Sequence, residues 1–183
     1  MSREVKPQIY YLARRGWHEQ MLRLCDSTIQ KKGKDPVAVY WKAFALGMTG
    51  NITECKRQLD SFAQRRDMQL PVTMALLYFN KRATNPDREV IDALYSELHV
   101  AEDVTKEAGL VLAARFALFT QDYPSAQRLA QKLLQNCRGA PATAFEIEGS
   151  FIYPSIHFAN ALVESKKRFF TPNPPPPSLL PLA

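Results

Sequence analysis

Apolar residues recur along most of the chain with the spacing of one face of an α-helix. The clearest run occupies positions i, i+3, i+4, i+7 and i+8, with Ala126, Leu129, Ala130, Leu133 and Leu134. Strand-like alternation of apolar and polar residues does not continue for more than a few residues anywhere. Turn signals that contain Gly, Asn, Asp or Pro divide the part before residue 139 into about eight helices of roughly 12 to 16 residues. The sequence therefore predicts an all-α protein.

Several residues mark where the helices begin. Asn51 with Glu54 three residues later has the form of a capping box, in which the side chains satisfy free backbone N–H groups. Asn85 followed by Pro86 predicts an N-cap with proline at the first helical position. All prolines before residue 139 can occupy helix starts, where a missing N–H costs nothing: Pro7, Pro36, Pro71, Pro86 and Pro124.

The turn signals return at a nearly constant interval, which indicates an internal repeat. Trp17 and Ile52 are 35 residues apart, and Tyr123 follows Ile52 by 71 residues, which leaves room for an irregular third copy near residues 85–98. A period of about 34 to 36 residues with two helices per copy is typical of a helical solenoid. In such a fold, neighbouring helix pairs bury the apolar faces that one pair cannot bury alone.

The copies also follow the residue pattern of a tetratricopeptide repeat, in which small residues let two helices approach and an aromatic fills the wedge between them. The fourth copy fits best, with Ala113 and Ala114 in the first helix, Tyr123 opening the second, and Ala126 three positions later. We therefore expect a right-handed helical solenoid of about four tetratricopeptide-like helix pairs over residues 1–138, plus an irregular Pro-rich tail.

The tail over residues 139–183 differs in composition, since it holds eight of the 13 prolines. We expect either a short helix over residues 154–168 or disorder there, and a disordered Pro-rich end over residues 171–183. Pro174 and Pro177 have the P-x-x-P spacing that SH3 domains accept, but no suitably placed arginine accompanies them. The tail is also a candidate cap for the end of the repeats, where apolar residues would otherwise lie open: Leu129, Leu133 and Leu134.

Composition and charge reduce the number of function classes that the sequence allows. The net charge of +6 permits an acidic partner or nucleic acid, but the basic residues are scattered in ones and twos, as on solvated helix faces. Three cysteines without a C-x-x-C pair predict reduced, buried thiols, and three distant histidines do not predict a metal site. No nucleotide-binding or hydrolase motif occurs. We therefore expect a non-enzymatic protein without a cofactor or a small-molecule substrate.

Two further expectations concern membranes and the cell compartment. Charged residues interrupt every apolar run before it reaches the roughly 18 residues that a membrane-spanning helix needs. The first residues lack the apolar core of a secretory signal. We expect an intracellular protein with no membrane span.

Three segments resemble the N-terminal end of the tetratricopeptide repeat protein 21 family in order and spacing. They are residues 75–81 (ALLYFNK), 85–89 (NPDRE) and 108–112 (AGLVL), within a likeness that covers roughly residues 8–137. The resemblance implies a subunit of intraflagellar transport complex A, with other subunits of that complex as partners. It implies retrograde transport, cilium assembly and ciliary cargo import, in the cytoplasm, the cilium and the ciliary base. Because the chain leaves the family pattern after Cys137, we expect an alternative terminus, such as a splice variant or a retained intron.

The concave surface of stacked repeats is the expected binding surface, since it accepts extended peptides or partner helices. The first helix of each pair lines that surface in this repeat class. Counting from the anchor positions gives the candidate partner-binding residues Ile9, Tyr40, Phe44, Phe79, Arg115 and Phe119. Aromatic side chains there could pack against a ligand, and the arginine could form an ion pair with a carboxylate.

Two other functions remain open from the sequence. A free-standing cytosolic tetratricopeptide adaptor outside cilia would share the fold. An RNA-binding pentatricopeptide-like solenoid would share the period and the basic charge, but its base-reading positions are polar. The corresponding first-helix positions here are largely apolar or aromatic, so we do not expect nucleic acid as the partner.

Overall fold

The computed structural model describes residues 5–62 and 65–136, which belong to one compact unit. This part of the chain contains no strand and consists of eight helices: α1 (Val5–Arg15), α2 (His18–Lys32), α3 (Pro36–Met48), α4 (Ile52–Asp60), α5 (Gln69–Lys81), α6 (Arg88–Val104), α7 (Glu107–Phe119) and α8 (Tyr123–Asn136). The boundary at residue 138, the tail helix over 154–168 and the Pro-rich end over 171–183 lie outside the described residues.

The helices form four consecutive pairs, α1/α2, α3/α4, α5/α6 and α7/α8, as the repeat predicts. Between pairs, α2 packs on α3, α4 on α5, and α5 on both α3 and α7. Helices α3, α5 and α7 are apolar around most of their circumference, whereas α2, α4, α6 and α8 bury one stripe and expose the rest. The fold is therefore a helical solenoid with an inner layer of odd-numbered helices and an outer layer of even-numbered ones.

The same turn joins the two helices in three of the four pairs. Each turn has one residue with positive φ: Gly16 at 72°, Gly50 at 94° and Gln121 at 63°. In each, the next residue donates its N–H to a carbonyl five positions back, over 2.8 to 2.9 Å: Trp17 to Leu12, Asn51 to Leu46, and Asp122 to Ala117. The third pair is joined by a different loop, which agrees with the irregular third copy.

The helix starts confirm half of the predicted capping box and correct another prediction. Asn51 Oδ1 accepts a hydrogen bond from the backbone N–H of Glu54 at 3.3 Å, as a cap does. The Glu54 carboxylate accepts hydrogen bonds from Arg57 and Gln58, and the Asn51 N–H donates to Leu46 instead. The N-cap prediction for Asn85 is wrong, because α6 begins three residues later and its cap is Asp87. The Asp87 carboxylate accepts from the N–H groups of Glu89 at 3.0 Å and Val90 at 3.3 Å, and its negative charge favours the helix N-terminus.

A glycine allows α3 and α5 to approach each other closely. A Cβ atom added to Gly47 would lie 2.3 Å from Cε1 of Phe79, a distance at which the ring must move. Both residues are buried, so the ring has little space to move into. Gly47 is therefore a packing requirement of the inner layer.

We predict that Gly47→Ala lowers the free energy of unfolding. Overpacking costs about 1–3 kcal/mol, and the better helix propensity of alanine offsets at most about 1 kcal/mol of it. Thermal and urea unfolding of the variant would measure the loss. Phe79→Leu removes the clashing ring, so Gly47→Ala should cost less in that background; an equal cost in both would show that the ring is not the cause.

Candidate partner-binding surface

The inner helices meet through a continuous set of aromatic rings. Trp41 of α3 lies at its centre, with ring centroids 5.7 Å from Tyr10 of α1, 5.5 Å from Phe44 and 5.5 Å from Phe119 of α7. Phe44 continues the set to Phe79 of α5 at 6.4 Å. Most pairs are edge-to-face or tilted, the arrangement that aromatic rings prefer. The rings therefore join the first, second, third and fourth helix pairs to one another.

Four of the six candidate residues are buried within this layer. Ile9, Tyr40, Phe44 and Phe79 are at most 1% exposed. The Tyr40 hydroxyl donates a hydrogen bond to the carbonyl of Pro71 at 3.1 Å, and burial raises the pKa of that hydroxyl well above its usual value. The expectation that these four side chains face an open groove is thus corrected, because the first helices approach closely enough for their aromatic residues to fill the space between them.

The other two candidates lie at the edge of the layer and are brought together. Arg115 and Phe119 are half-buried on consecutive turns of α7. The guanidinium carbon of Arg115 lies 4.2 Å from the ring centroid of Tyr10. The ring centroids of Tyr10 and Phe119 are 6.1 Å apart. We call Tyr10, Arg115 and Phe119 the α1–α7 patch. It combines a cation held on an aromatic face with a second aromatic ring, residue types that dominate binding energy at interfaces.

Sequence reasoning missed Tyr10, although the residue beside it was among the candidates. The signal was the pair of tyrosines at positions 10 and 11, whose rings point about 100° apart around α1. Tyr10 turns towards α3 and α7, while Tyr11 is exposed.

Burial shifts the pKa of three groups near the core in the direction that favours the neutral form. Burial raises the pKa of the thiols of Cys25 and Cys55 to about 12, and the Asp26 carboxylate adds to this effect at Cys25. Burial lowers the pKa of His18, whose ring packs edge-on against Phe44 at 5.6 Å. These groups pack as apolar or neutral residues, as the sequence predicts for the two described cysteines.

The surface carries the scattered basic residues that the sequence predicts. Four basic pairs are exposed: Arg14-Arg15, Lys31-Lys32, Arg65-Arg66 and Lys81-Arg82. Within residues 5–62 and 65–136, no group of three or more His, Cys, Asp or Glu side chains is arranged to hold a metal ion. In those same ranges, every helix is too short or too polar to cross a membrane.

Comparison with known proteins settles the family. The family model described as "Tetratricopeptide repeat protein 21 N-terminal ARM repeat" matches residues 9–147. The chain belongs to this family. The description names the repeats as ARM repeats, another class of helical solenoid repeat.

Individual relatives agree with the family. Tetratricopeptide repeat protein 21B of Homo sapiens is 32% identical over 101 residues, 55% of this chain and 8% of that protein. Tetratricopeptide repeat protein 21A of Homo sapiens is 27% identical over 131 residues, 72% of this chain and 10% of that protein. The tetratricopeptide repeat protein 21 homolog of Caenorhabditis elegans is 24% identical over 123 residues, 66% of this chain and 9% of that protein. The chain thus spans about a tenth of the length of these relatives.

We predict that Cys25 and Cys55 resist alkylation in the folded protein. At pH 8 a thiol whose pKa is about 12 is almost wholly protonated, and the thiolate is the reactive form. Iodoacetamide labelling followed by peptide mass spectrometry should modify both residues in urea and neither in buffer. Rapid labelling of either thiol in buffer would contradict the burial of α2 or α4 against α3.

Proposed function

We propose that this chain is a non-enzymatic protein-interaction scaffold that works as part of intraflagellar transport complex A. The observation that carries the proposal is the match of the tetratricopeptide repeat protein 21 family to residues 9–147, which takes in nearly all of the four helix pairs. Stacked helix pairs present extended surfaces for other proteins, which is the general use of such solenoids. Retrograde transport, cilium assembly and ciliary cargo import are the processes that the family resemblance implies.

The proposed partners are other subunits of complex A, and the proposed contact is the α1–α7 patch. In this patch the half-buried Arg115 places its guanidinium on the Tyr10 ring, with the Phe119 ring beside it. Arginine can bind a carboxylate through two parallel hydrogen bonds, and the rings add apolar contact area. A partner segment with one acidic residue beside an apolar residue would fit this surface.

The proposed location follows from the family as well: the cytoplasm, the cilium and the ciliary base. The chain corresponds to 8 to 10% of the length of the relatives above. For that reason, the proposal covers only contacts that the N-terminal repeats make, and contacts of later repeats are outside it.

We predict that the full 183-residue chain captures complex A subunits from ciliated-cell lysate, and that Arg115→Glu weakens this capture. Loss of an interface hot spot costs about 2 kcal/mol or more, roughly thirtyfold in affinity. Quantitative mass spectrometry of the bound proteins at two salt concentrations would measure it. Phe119→Ala tests the same patch without a change of charge, and circular dichroism would verify that both variants fold.

Arg23→Glu is the matched control, because Arg23 is an exposed arginine on α2 whose ion pair within the described residues is with Glu19, one turn away. It should leave capture unchanged. Recovery of RNA whose binding falls steeply with salt would favour the pentatricopeptide-like function instead. A tagged chain that stays diffuse in ciliated cells and binds no complex A subunit would favour a free-standing adaptor.

A further inference from the structure

Helix α6 carries most of the large apolar side chains that are exposed in the described part of the chain. Seven such side chains are exposed within residues 5–62 and 65–136, and four of them lie on α6: Val90 at 41%, Tyr95 at 40%, Val100 at 63% and Val104 at 60%. Single exposed apolar residues are normal on a protein surface, whereas a contiguous group of them marks an interaction site. The outer side of α6 is therefore a candidate docking surface.

The three valines belong to one stripe along α6. They lie at the first, fourth and fifth of five positions spaced alternately three and four residues apart, the spacing of the a and d positions of a coiled-coil seam. All five residues are exposed, and the stripe is about 21 Å long. We call this set the α6 stripe: Val90, Ala93, Glu97, Val100 and Val104. Its spacing matches the way in which one helix packs along another.

One side of the stripe is already used by the fold. Helix α6 packs on α5, and the buried residues of α6 are Leu94 and Ala101. These two residues occupy the e positions that border the stripe. A partner helix can therefore approach the stripe only from its other side, where the g positions lie.

The open side of the stripe is acidic. Its g positions are Glu89, Ser96 and Asp103, all exposed. Asp103 forms an ion pair with Lys132 of α8 at 3.1 Å, whereas Glu89 has no ion pair within the residues that the structure describes. Helix α6 as a whole has five acidic residues and one basic residue, in a protein whose net charge is +6. Charges at the e and g positions select the partner of a coiled coil, so this side favours lysine or arginine.

A carboxylate also lies in the middle of the stripe. Glu97 occupies the central a position, and its Oε1 accepts a hydrogen bond from the Thr73 hydroxyl of α5 at 3.3 Å. A single polar residue at an a position fixes the register of a coiled coil, because its desolvation is costly unless it finds a matching group. The matching group here is a lysine or arginine opposite Glu97.

We propose that the α6 stripe binds an amphipathic α-helix of a partner protein, one with an apolar seam of heptad spacing and with lysine or arginine along the flank of that seam. The acidic flank repels the phosphates of nucleic acids and of anionic lipids, which leaves a basic helix as the complementary ligand. The stripe belongs to the outer layer of helices, so this inference does not depend on the function or the α1–α7 patch proposed above.

Two synthetic peptides test the proposal on the full 183-residue chain. Each contains three heptads with isoleucine at a, leucine at d and alanine at b, c and f; one peptide has lysine at e and g, the other glutamate. The like charges within each peptide oppose pairing with itself. Fluorescence anisotropy of the labelled peptides should show about tenfold tighter binding of the lysine peptide, although the protein as a whole is positively charged. Equal binding of both peptides, or no binding of the lysine peptide at about 1 mM, would overturn the proposal.

Substitutions in the stripe locate the binding surface. Val100→Ser combined with Val104→Ser removes exposed side chains only, so the fold should persist by circular dichroism, while binding of the lysine peptide should weaken about tenfold. Tyr95→Ser is the matched control, because it removes an exposed apolar side chain from the opposite side of the same helix and should leave the affinity unchanged. The same affinity for the valine variant and the parent chain would contradict binding at the stripe.

A charge exchange tests the basic flank of the partner. Glu89→Lys combined with Ser96→Lys makes two of the three g positions basic, so the variant should bind the glutamate peptide more tightly than the lysine peptide. An unchanged preference would show that the flank does not select the partner. Sedimentation velocity of the chain alone covers the other occupant of such a stripe: a dimer that the two valine substitutions abolish would assign the stripe to a second copy and overturn the proposal.

Discussion

The packing of Trp41 against rings from three different helix pairs is the interaction on which the inner layer depends. Its ring is edge-to-face with that of Tyr10 in the first pair and tilted against that of Phe119 in the fourth, while Phe44 carries the contacts on to Phe79 in the third. In an open solenoid each pair touches only its neighbours. Here the first and fourth pairs also meet, so burial of one large aromatic cluster stabilises all four pairs together.

This closure limits which parts of the inner helices are accessible. A wide concave groove would expose the inner faces of α3 and α5, but those faces are occupied by the chain's own rings. The inner layer is accessible at its edge, at Arg115 and Phe119, and in an opening of about 500 Å³ at the starts of α3 and α7, where Tyr10 is among the lining residues. The contact proposed at the edge therefore involves one cation and the rims of rings, rather than deep insertion of side chains into a groove.

The sequence predicts the local features of this fold well, because they depend on residues close together in the chain. Turn residues such as Gly16 and Gly50 and the cap Asn51 act within one turn of helix, and the repeat period follows from their spacing. The predicted cap of α6, Asn85, lies two residues before the observed cap, Asp87. Both residue types are good caps, and the sequence does not rank them. The burial of the candidate aromatic residues depends on how closely distant helices approach, which periodicity does not report. Gly47 was the available signal, since a glycine inside an apolar helix often marks a close contact.

Helix α1 has two separate surfaces because two tyrosines follow each other in its sequence. Consecutive residues of an α-helix point about 100° apart, so Tyr10 enters the aromatic layer while Tyr11 stays on the outside beside Trp17. Any ligand of the α1–α7 patch therefore has to accommodate rings that also stabilise the fold.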